Sequence, residues 1–345
     1  MSGSDNFQKM ATNWRDSILE DLGALSDSNL RRKLRLLSGA QGPLIHFEGR
    51  EVIHLAGNNY LGLADHPALA DAAAKAASEW GSSAAASPLI SGYMEPHEAL
   101  SRQLAQFKDK EAAILFGSGF LANLGLISSL AGEGDAIFSD KLNHASITDG
   151  CRLSRAKVHV FAHSDMNDLE DKLDKATGAR RRLIVVDGVF SMDGDLAPLD
   201  DLAALAECHD AILLVDEAHA TGVIGPEGKG AAAHFGVQSG VGVSMGTLGK
   251  ALASYGAFAC SDFEVIDYLV NRARTFIYST ALPPGVLAAA GAAIELASGE
   301  EGARRRGRLA DLCGVFRAGL EEMGFEMPGR SGDAEVPIFP IIVGE

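Results

Sequence analysis

Ile212-Leu213-Leu214-Val215-Asp216-Glu217-Ala218-His219 runs from an unbroken apolar stretch straight into ionisable side chains. A short apolar run of this kind reads as a strand buried on both faces, as in parallel sheets, and its polar end marks the sheet edge where α/β proteins bind ligands. The same texture recurs at Ala113-Ile114-Leu115-Phe116, Ala136-Ile137-Phe138-Ser139, Val158-His159-Val160-Phe161 and Leu183-Ile184-Val185-Val186. Between these runs lie helical spacings, such as Leu199, Leu202, Leu205 and Ala206 within 199–208. Strand and helix alternate, which predicts an α/β fold with a mostly parallel central sheet and helices on both faces.

On either side of this core the texture changes. Residues 1–50 read as helices wrapping the core, with Ile18, Leu19, Leu22 and Leu25 on one face, and residues 51–284 as the large α/β domain. After Leu282-Pro283-Pro284 come an alanine-rich helix over 285–298, a basic turn at Arg304 to Arg308, and a further helix. Val336-Pro337-Ile338-Phe339-Pro340-Ile341-Ile342-Val343 then reads as the first strand of a second sheet. A lone strand cannot bury its faces, so residues 285–345 are expected to be the start of a smaller C-terminal α/β domain, truncated in this sequence.

Composition narrows the partners. The 345 residues are 47% hydrophobic and 22% charged, which suits a packed globular protein, and the net charge of −16 argues against nucleic acid or an anionic membrane. The basic runs at Arg31–Arg35, Arg180–Arg182 and Arg304–Arg308 read as solvated helix faces or turns. Cys151, Cys208, Cys260 and Cys313 show no metal-ligand spacing, which fits a reduced, cytoplasmic compartment. The polar N-terminus lacks a secretory apolar core, and no apolar run is long enough to span a bilayer.

The chemistry-bearing residues cluster after the strands. Val243-Ser244-Met245-Gly246-Thr247-Leu248-Gly249-Lys250 follows the segment ending in His219. A lysine that can form a Schiff base and an aspartate at a buried strand end that can keep a ring nitrogen protonated together suggest pyridoxal phosphate. Gly117-Ser118-Gly119-Phe120 opens a helical pattern and offers backbone N–H groups to a phosphate. As a dinucleotide fingerprint it is imperfect, because Ala122 stands where the third glycine is usual; as a nucleotide P-loop the Lys250 segment fails, with Ser244 at the first glycine position and Ala251 after the lysine. His144, in Leu142-Asn143-His144-Ala145-Ser146, stands where an imidazole could stack on a flat cofactor or serve structure alone. Asp187, Asp193 and Asp195 lack EF-hand spacing, so no metal is expected there, and the segment reads as a turn lining the cofactor site. Asp216 and His219 alone could likewise be a core ion pair or metal ligands. Convergence of Gly117, Asp187 and Asp216 at one sheet edge favours a shared site.

Asn58-Asn59-Tyr60-Leu61-Gly62-Leu63, Leu89-Ile90-Ser91-Gly92-Tyr93, Asn143 to Ser146, Gly188 to Asp195, Asp216 to His219 and Gly246 to Lys250 resemble, in order and over nearly the whole chain, the α-oxoamine synthase family of fold-type I pyridoxal phosphate enzymes. The resemblance implies that Lys250 carries the cofactor covalently, Asp216 binds its ring nitrogen, His219 its phenolic oxygen, and that His144 stacks on the ring. It places Ser191 beside the cofactor, and Thr247 with the N–H groups of Gly119 and Phe120 at its phosphate. Ser279 and Thr280 correspond to a segment that reaches the partner's phosphate across a homodimer. Segments 266–274 and 276–284 further imply L-alanine and a pimeloyl thioester as substrates of a decarboxylative condensation, the alternatives being a related synthase that uses glycine or serine with another acyl thioester, or a non-catalytic partner subunit of the same fold. Two positions depart from the family pattern: Pro88 stands where an arginine is common, and Asp187 where a glutamate is.

Overall fold

The computed structural model describes residues 13–325 and 335–342. By its contacts the chain divides into two units, 1–39 with 44–53, and 40–43 with 54–345. The first holds helix α1 (Trp14–Asp27) and an antiparallel sheet of β1 (Leu37–Ser38), β2 (Leu44–Phe47) and β3 (Arg50–Ile53). An all-helical N-terminal segment is therefore corrected to one helix and a small sheet. The hairpin follows from Glu48 and Gly49, both at positive φ (50° and 74°), the pattern of the two-residue turn that matches strand twist. No residue of α1 is buried, so its apolar stripe at Ile18, Leu19 and Leu25 is largely exposed.

The second unit is built on a seven-stranded sheet. Its strands are β4 (Ala112–Phe116), β5 (Ala136–Asp140), β6 (Lys157–Phe161), β7 (Arg182–Asp187), β8 (Ala211–Asp216), β9 (Val243–Thr247) and β10 (Ala257–Ser261), in the order β4-β10-β9-β8-β7-β5-β6. Its helices are α2 (Pro67–Trp80), α3 (Glu95–Phe107), α4 (Gly119–Leu130), α5 (Ala145–Ser154), α6 (Met166–Lys175), α7 (Leu199–Cys208), α8 (Ala231–Phe235), α9 (Phe263–Arg272), α10 (Arg274–Ile277), α11 (Pro284–Ser298) and α12 (Glu300–Glu322). Alternate residues of the central strands feed two cores. Ile184, Val186, Leu213 and Val215 pack with α6, α7 and α11, while Leu183, Val185, Leu214 and Val243 pack with α4, α5 and α9. Each such side chain contributes about 1.5–3 kcal/mol on burial.

Strands β5 to β9 run parallel, and β10 is antiparallel to both β9 and β4. Two reversals leave β4 pointing with the parallel set, although its hydrogen-bonded neighbour is antiparallel. The carboxyl ends of β4, β5, β7, β8 and β9 thus share one edge. The expectation that 158–161 is a buried strand is corrected: β6 is an edge strand with Val158 and Val160 exposed. Arg304 to Arg308 lie inside α12, not in a turn; the chain breaks earlier, at Gly299, which ends α11 and begins α12. Among the described residues, 335–342 carry no strand; Val343 lies outside them. Val336 is buried, and Ile338 sits so close to Gly194 that a Cβ there would come within 2.4 Å of the Ile338 carbonyl oxygen. No helix among the described residues is long and apolar enough to cross a membrane.

Candidate active site

Asp187 and Asp216 are the last residues of β7 and β8 and stand opposite each other in register. Asp216 is buried, with Oδ2 accepting from Asn123 Nδ2 at 2.8 Å and Oδ1 from the Ala218 N–H at 2.9 Å. Asn123, on α4, also donates to Ser146 Oγ at 2.8 Å, which pairs with His144 Nδ1 at 2.7 Å. His144 caps α5, and its backbone N–H donates to Asp187 Oδ2 at 2.7 Å. Asn143 ties the same turn to β7, accepting from the Asp187 N–H at 2.9 Å and donating to the Val185 carbonyl at 2.8 Å. Helix caps and strand ends are thereby locked into one hydrogen-bonded frame.

That frame forms one wall of a cavity of about 360 Å³, within the range of small-molecule sites. Lys250, Asp216, His219, His144, Ser191, Thr247, Gly119 and Phe120 all line it. Lys250 lies on the loop after β9, beside the end of β8. Thr280 is not among the lining residues; with Ser279, Pro88 and Tyr93 it lines a separate small pocket. Sequence reasoning gave no role to Asn123, Ser146, Asn58 or Tyr255. Asn58 and Ser146 stand within motifs of the family resemblance, and nothing local distinguishes Asn123, which reaches Asp216 through the packing of α4.

Electrostatics here are set by burial. Desolvation raises Asp216 above its ordinary value, against the opposing pull of Lys250 and Asn123. Desolvation, with the neighbouring charge of Asp216, holds Asp187 well above the usual carboxylate range. Lys250 is lowered by burial and partly restored by the two aspartates. Burial, assisted by Lys250 and His144, drives His219 down to about 3, so its imidazole is neutral. Tyr60 Oη lies 2.7 Å from its Nδ1.

The donor set suits pyridoxal phosphate. Two N–H donors hold the Asp216 carboxylate, but no cation contacts it among the described residues, and a protonated ring nitrogen supplies one. At the other end, Ser118 Oγ caps α4 by accepting from the Leu121 N–H at 3.2 Å, leaving the first-turn N–H groups of Gly119 and Phe120 for an anion. A Cβ at Gly119 would come within 2.7 Å of Thr247 Cγ2, so glycine lets these donors approach each other.

A profile of the family described as aminotransferase class I and II matches residues 50–333. The 8-amino-7-oxononanoate synthase of Geobacter sulfurreducens is 52% identical over 95% of this chain and 83% of its own length. That of Citrifermentans bemidjiense is 51% identical over 94% of this chain and 82% of its own. Among solved structures, serine palmitoyltransferase from S. paucimobilis with a bound PLP–myriocin aldimine superposes with a TM-score of 0.86 at 31% identity, over 92% of this chain and 80% of that one. The 8-amino-7-oxononanoate synthase of Francisella tularensis does so with a TM-score of 0.69 at 31% identity, over 81% and 78%.

Proposed function

The chain belongs to the aminotransferase class I and II family, and from that premise we propose that it is a pyridoxal phosphate-dependent α-oxoamine synthase that condenses L-alanine with a pimeloyl thioester to 8-amino-7-oxononanoate, CO₂ and free thiol, a step of biotin synthesis. The observation that carries the reaction class is the pairing of Lys250 with buried Asp216 around one cavity. Relatives about half identical over nearly the whole chain support the substrates. The 31% identity to serine palmitoyltransferase supports the fold and cofactor.

When bound, the cofactor supplies an aldehyde that captures amines and a cationic ring that takes up the electron pair left at the amino acid's α-carbon. Asp216 keeps the proton on the ring nitrogen, and Asn123 and the Ala218 N–H hold that carboxylate in place. Lys250 Nζ, its proton affinity lowered by burial, lines the cavity where it can take the α-proton of L-alanine. We assign His144 to the face of the ring and to donation toward the thioester oxygen as charge develops there. His219 serves the phenolic oxygen, Ser191 lies beside it, and Thr247 with the N–H groups of Gly119 and Phe120 holds the phosphate. Every lining residue falls within 51–284, which we take as the cofactor-binding domain.

We further propose a homodimer in which Thr280, lying outside its own chain's cavity, serves the partner's. The four cysteines are unpaired, which supports a cytoplasmic setting. The deciding experiment supplies the purified chain with pyridoxal phosphate and follows CO₂ release from L-alanine with pimeloyl-CoA. Turnover that disappears in Lys250→Ala supports the reading, whereas equal turnover in that variant overturns it. Release only from L-serine with a long-chain acyl-CoA would move the chain to the serine palmitoyltransferase reaction.

A further inference from the structure

One short hydrogen bond behind the cavity wall has no part in the chemistry above. Tyr60 Oη lies 2.7 Å from His219 Nδ1, and the imidazole makes no other hydrogen bond among the described residues. Burial raises the phenol to about 12 and lowers the imidazole to about 3, so both groups are neutral near pH 7. Either the hydroxyl donates to Nδ1, leaving the ring proton on Nε2, or an Nδ1–H donates to Oη, which must then place its own proton elsewhere. Among the described residues the other acceptor within reach of Oη is Asn58 Oδ1 at 3.4 Å, beyond the 2.5–3.0 Å of an O–H···O bond. The first arrangement therefore wins, and Nε2–H is the group left to face a ligand.

The loop bearing Tyr60 is held to present this hydroxyl. Asn59 Oδ1 accepts from the N–H groups of Leu63 at 2.9 Å and Ala64 at 3.2 Å. From α12, Arg305 donates to the carbonyls of Leu61 at 2.9 Å and Gly62 at 3.0 Å, and is itself fixed by Glu301 at 2.6 Å.

We propose that Tyr60 is a positioning residue that acts through His219: its hydroxyl donates to Nδ1, locks the Nε2–H tautomer, and so makes His219 a donor toward the phenolic oxygen of bound pyridoxal phosphate. The proposal rests on the reading of the cavity as a pyridoxal phosphate site. The test is the histidine nitrogen NMR spectrum of the full chain purified free of cofactor, with His219 assigned from a His219→Gln variant. The expected result is the Nε2–H tautomer in the unaltered chain and in Asn58→Ala, and its loss in Tyr60→Phe. Tyr60→Phe should also weaken pyridoxal phosphate binding about tenfold by fluorescence titration.

An Nδ1–H tautomer in the unaltered chain overturns the proposal. So does an unchanged His219 spectrum in folded Tyr60→Phe, or a tautomer change in Asn58→Ala. Should Tyr60→Phe not fold, the unaltered chain and Asn58→Ala still decide. Failure of the unaltered chain to bind pyridoxal phosphate refutes the cavity reading instead, and with it the role toward the cofactor.

Discussion

His219 makes the site sensitive to acid. Unfolded, an ordinary imidazole takes a proton below about pH 6.5; folded, this one resists until about pH 3, because burial and then Lys250 and His144 oppose its charge. Its folded value is depressed, so stability is intact above pH 6.5 and declines as the pH falls toward 3. Between pH 7 and pH 5 the cofactor-free chain should lose about 1–2 kcal/mol that His219→Gln does not, read from urea unfolding at the two pH values. Asp216 and Asp187 carry the opposite sign. Their raised values mean that the folded chain holds more protons than the unfolded one above the ordinary carboxylate range, so they disfavour folding as pH rises through that window. Two carboxylates crowded at one strand edge are a functional arrangement, not a stabilising one. Asp216→Asn should lower kcat at least 100-fold, measured as CO₂ release under saturating cofactor, because the ring nitrogen loses its ionic partner. At this scale Lys250 and Asp216 were legible as candidates from residue type and position after apolar runs, whereas the roles of His144 and His219 rest on the family resemblance. Tyr60 received no role, because its part depends on a loop folding back onto a residue far along the chain.

Elements differ in how plainly they are written. Helix α7 spans Leu199–Cys208, the limits its apolar spacing predicts, with Leu199, Leu202 and Ala206 buried. Strand β10 was not foreseen, since Ala257-Phe258-Ala259-Cys260-Ser261 carries no β-branched residue and is defined by the two strands that flank it. It begins at a tight place. Gly256 has φ +105°, and a Cβ there would come within 3.0 Å of the Phe116 carbonyl oxygen, so Gly256→Ala should destabilise by about 1–3 kcal/mol in urea titrations. A second constraint lies under the end of β8. Buried Lys108, just after α3, pairs with buried Glu217, while Glu217 Oε1 accepts from the Ala232 N–H at 2.8 Å and Lys108 Nζ donates to the Lys229 carbonyl at 2.6 Å. Lys108→Met strands the carboxylate without its cation, which should cost about 3–5 kcal/mol in equilibrium unfolding. The β2–β3 hairpin and the continuous α12 are hidden from the sequence for different reasons. The turn depends on two positive φ angles at Glu48 and Gly49, while the basic run of α12 includes Arg305 and Arg306, which bind the carbonyls of Leu61, Gly62 and Ala297, contacts that no local spacing announces.

At the scale of the molecule, the position of Thr280 sets an expectation about assembly. If each cavity takes Lys250 from one chain and Thr280 from its partner, a dimer of Lys250→Ala with Thr280→Ala carries one intact site. Mixing the two inactive variants under conditions of subunit exchange should restore about a quarter of full turnover, half the dimers being mixed and each having one of two sites. No recovery would place Thr280 in its own chain's site, and a Thr280→Ala chain that is active alone would place it outside the chemistry. The cavity is also assembled from distant sequence within one chain. Arg305 grips the carbonyls of Leu61 and Gly62 from 244 and 243 residues downstream, and Ile338 seats against Gly194 beside the Ser191 loop. Time on the ribosome separates these partners: the stretch around Tyr60 is made early and stays unclasped until α12 has emerged. A nascent chain can lay down its sheet well before that moment, yet the loop bearing Tyr60 gains its clasp only once Arg305 is made, so a chain stopped before α12 carries the sheet without that clasp.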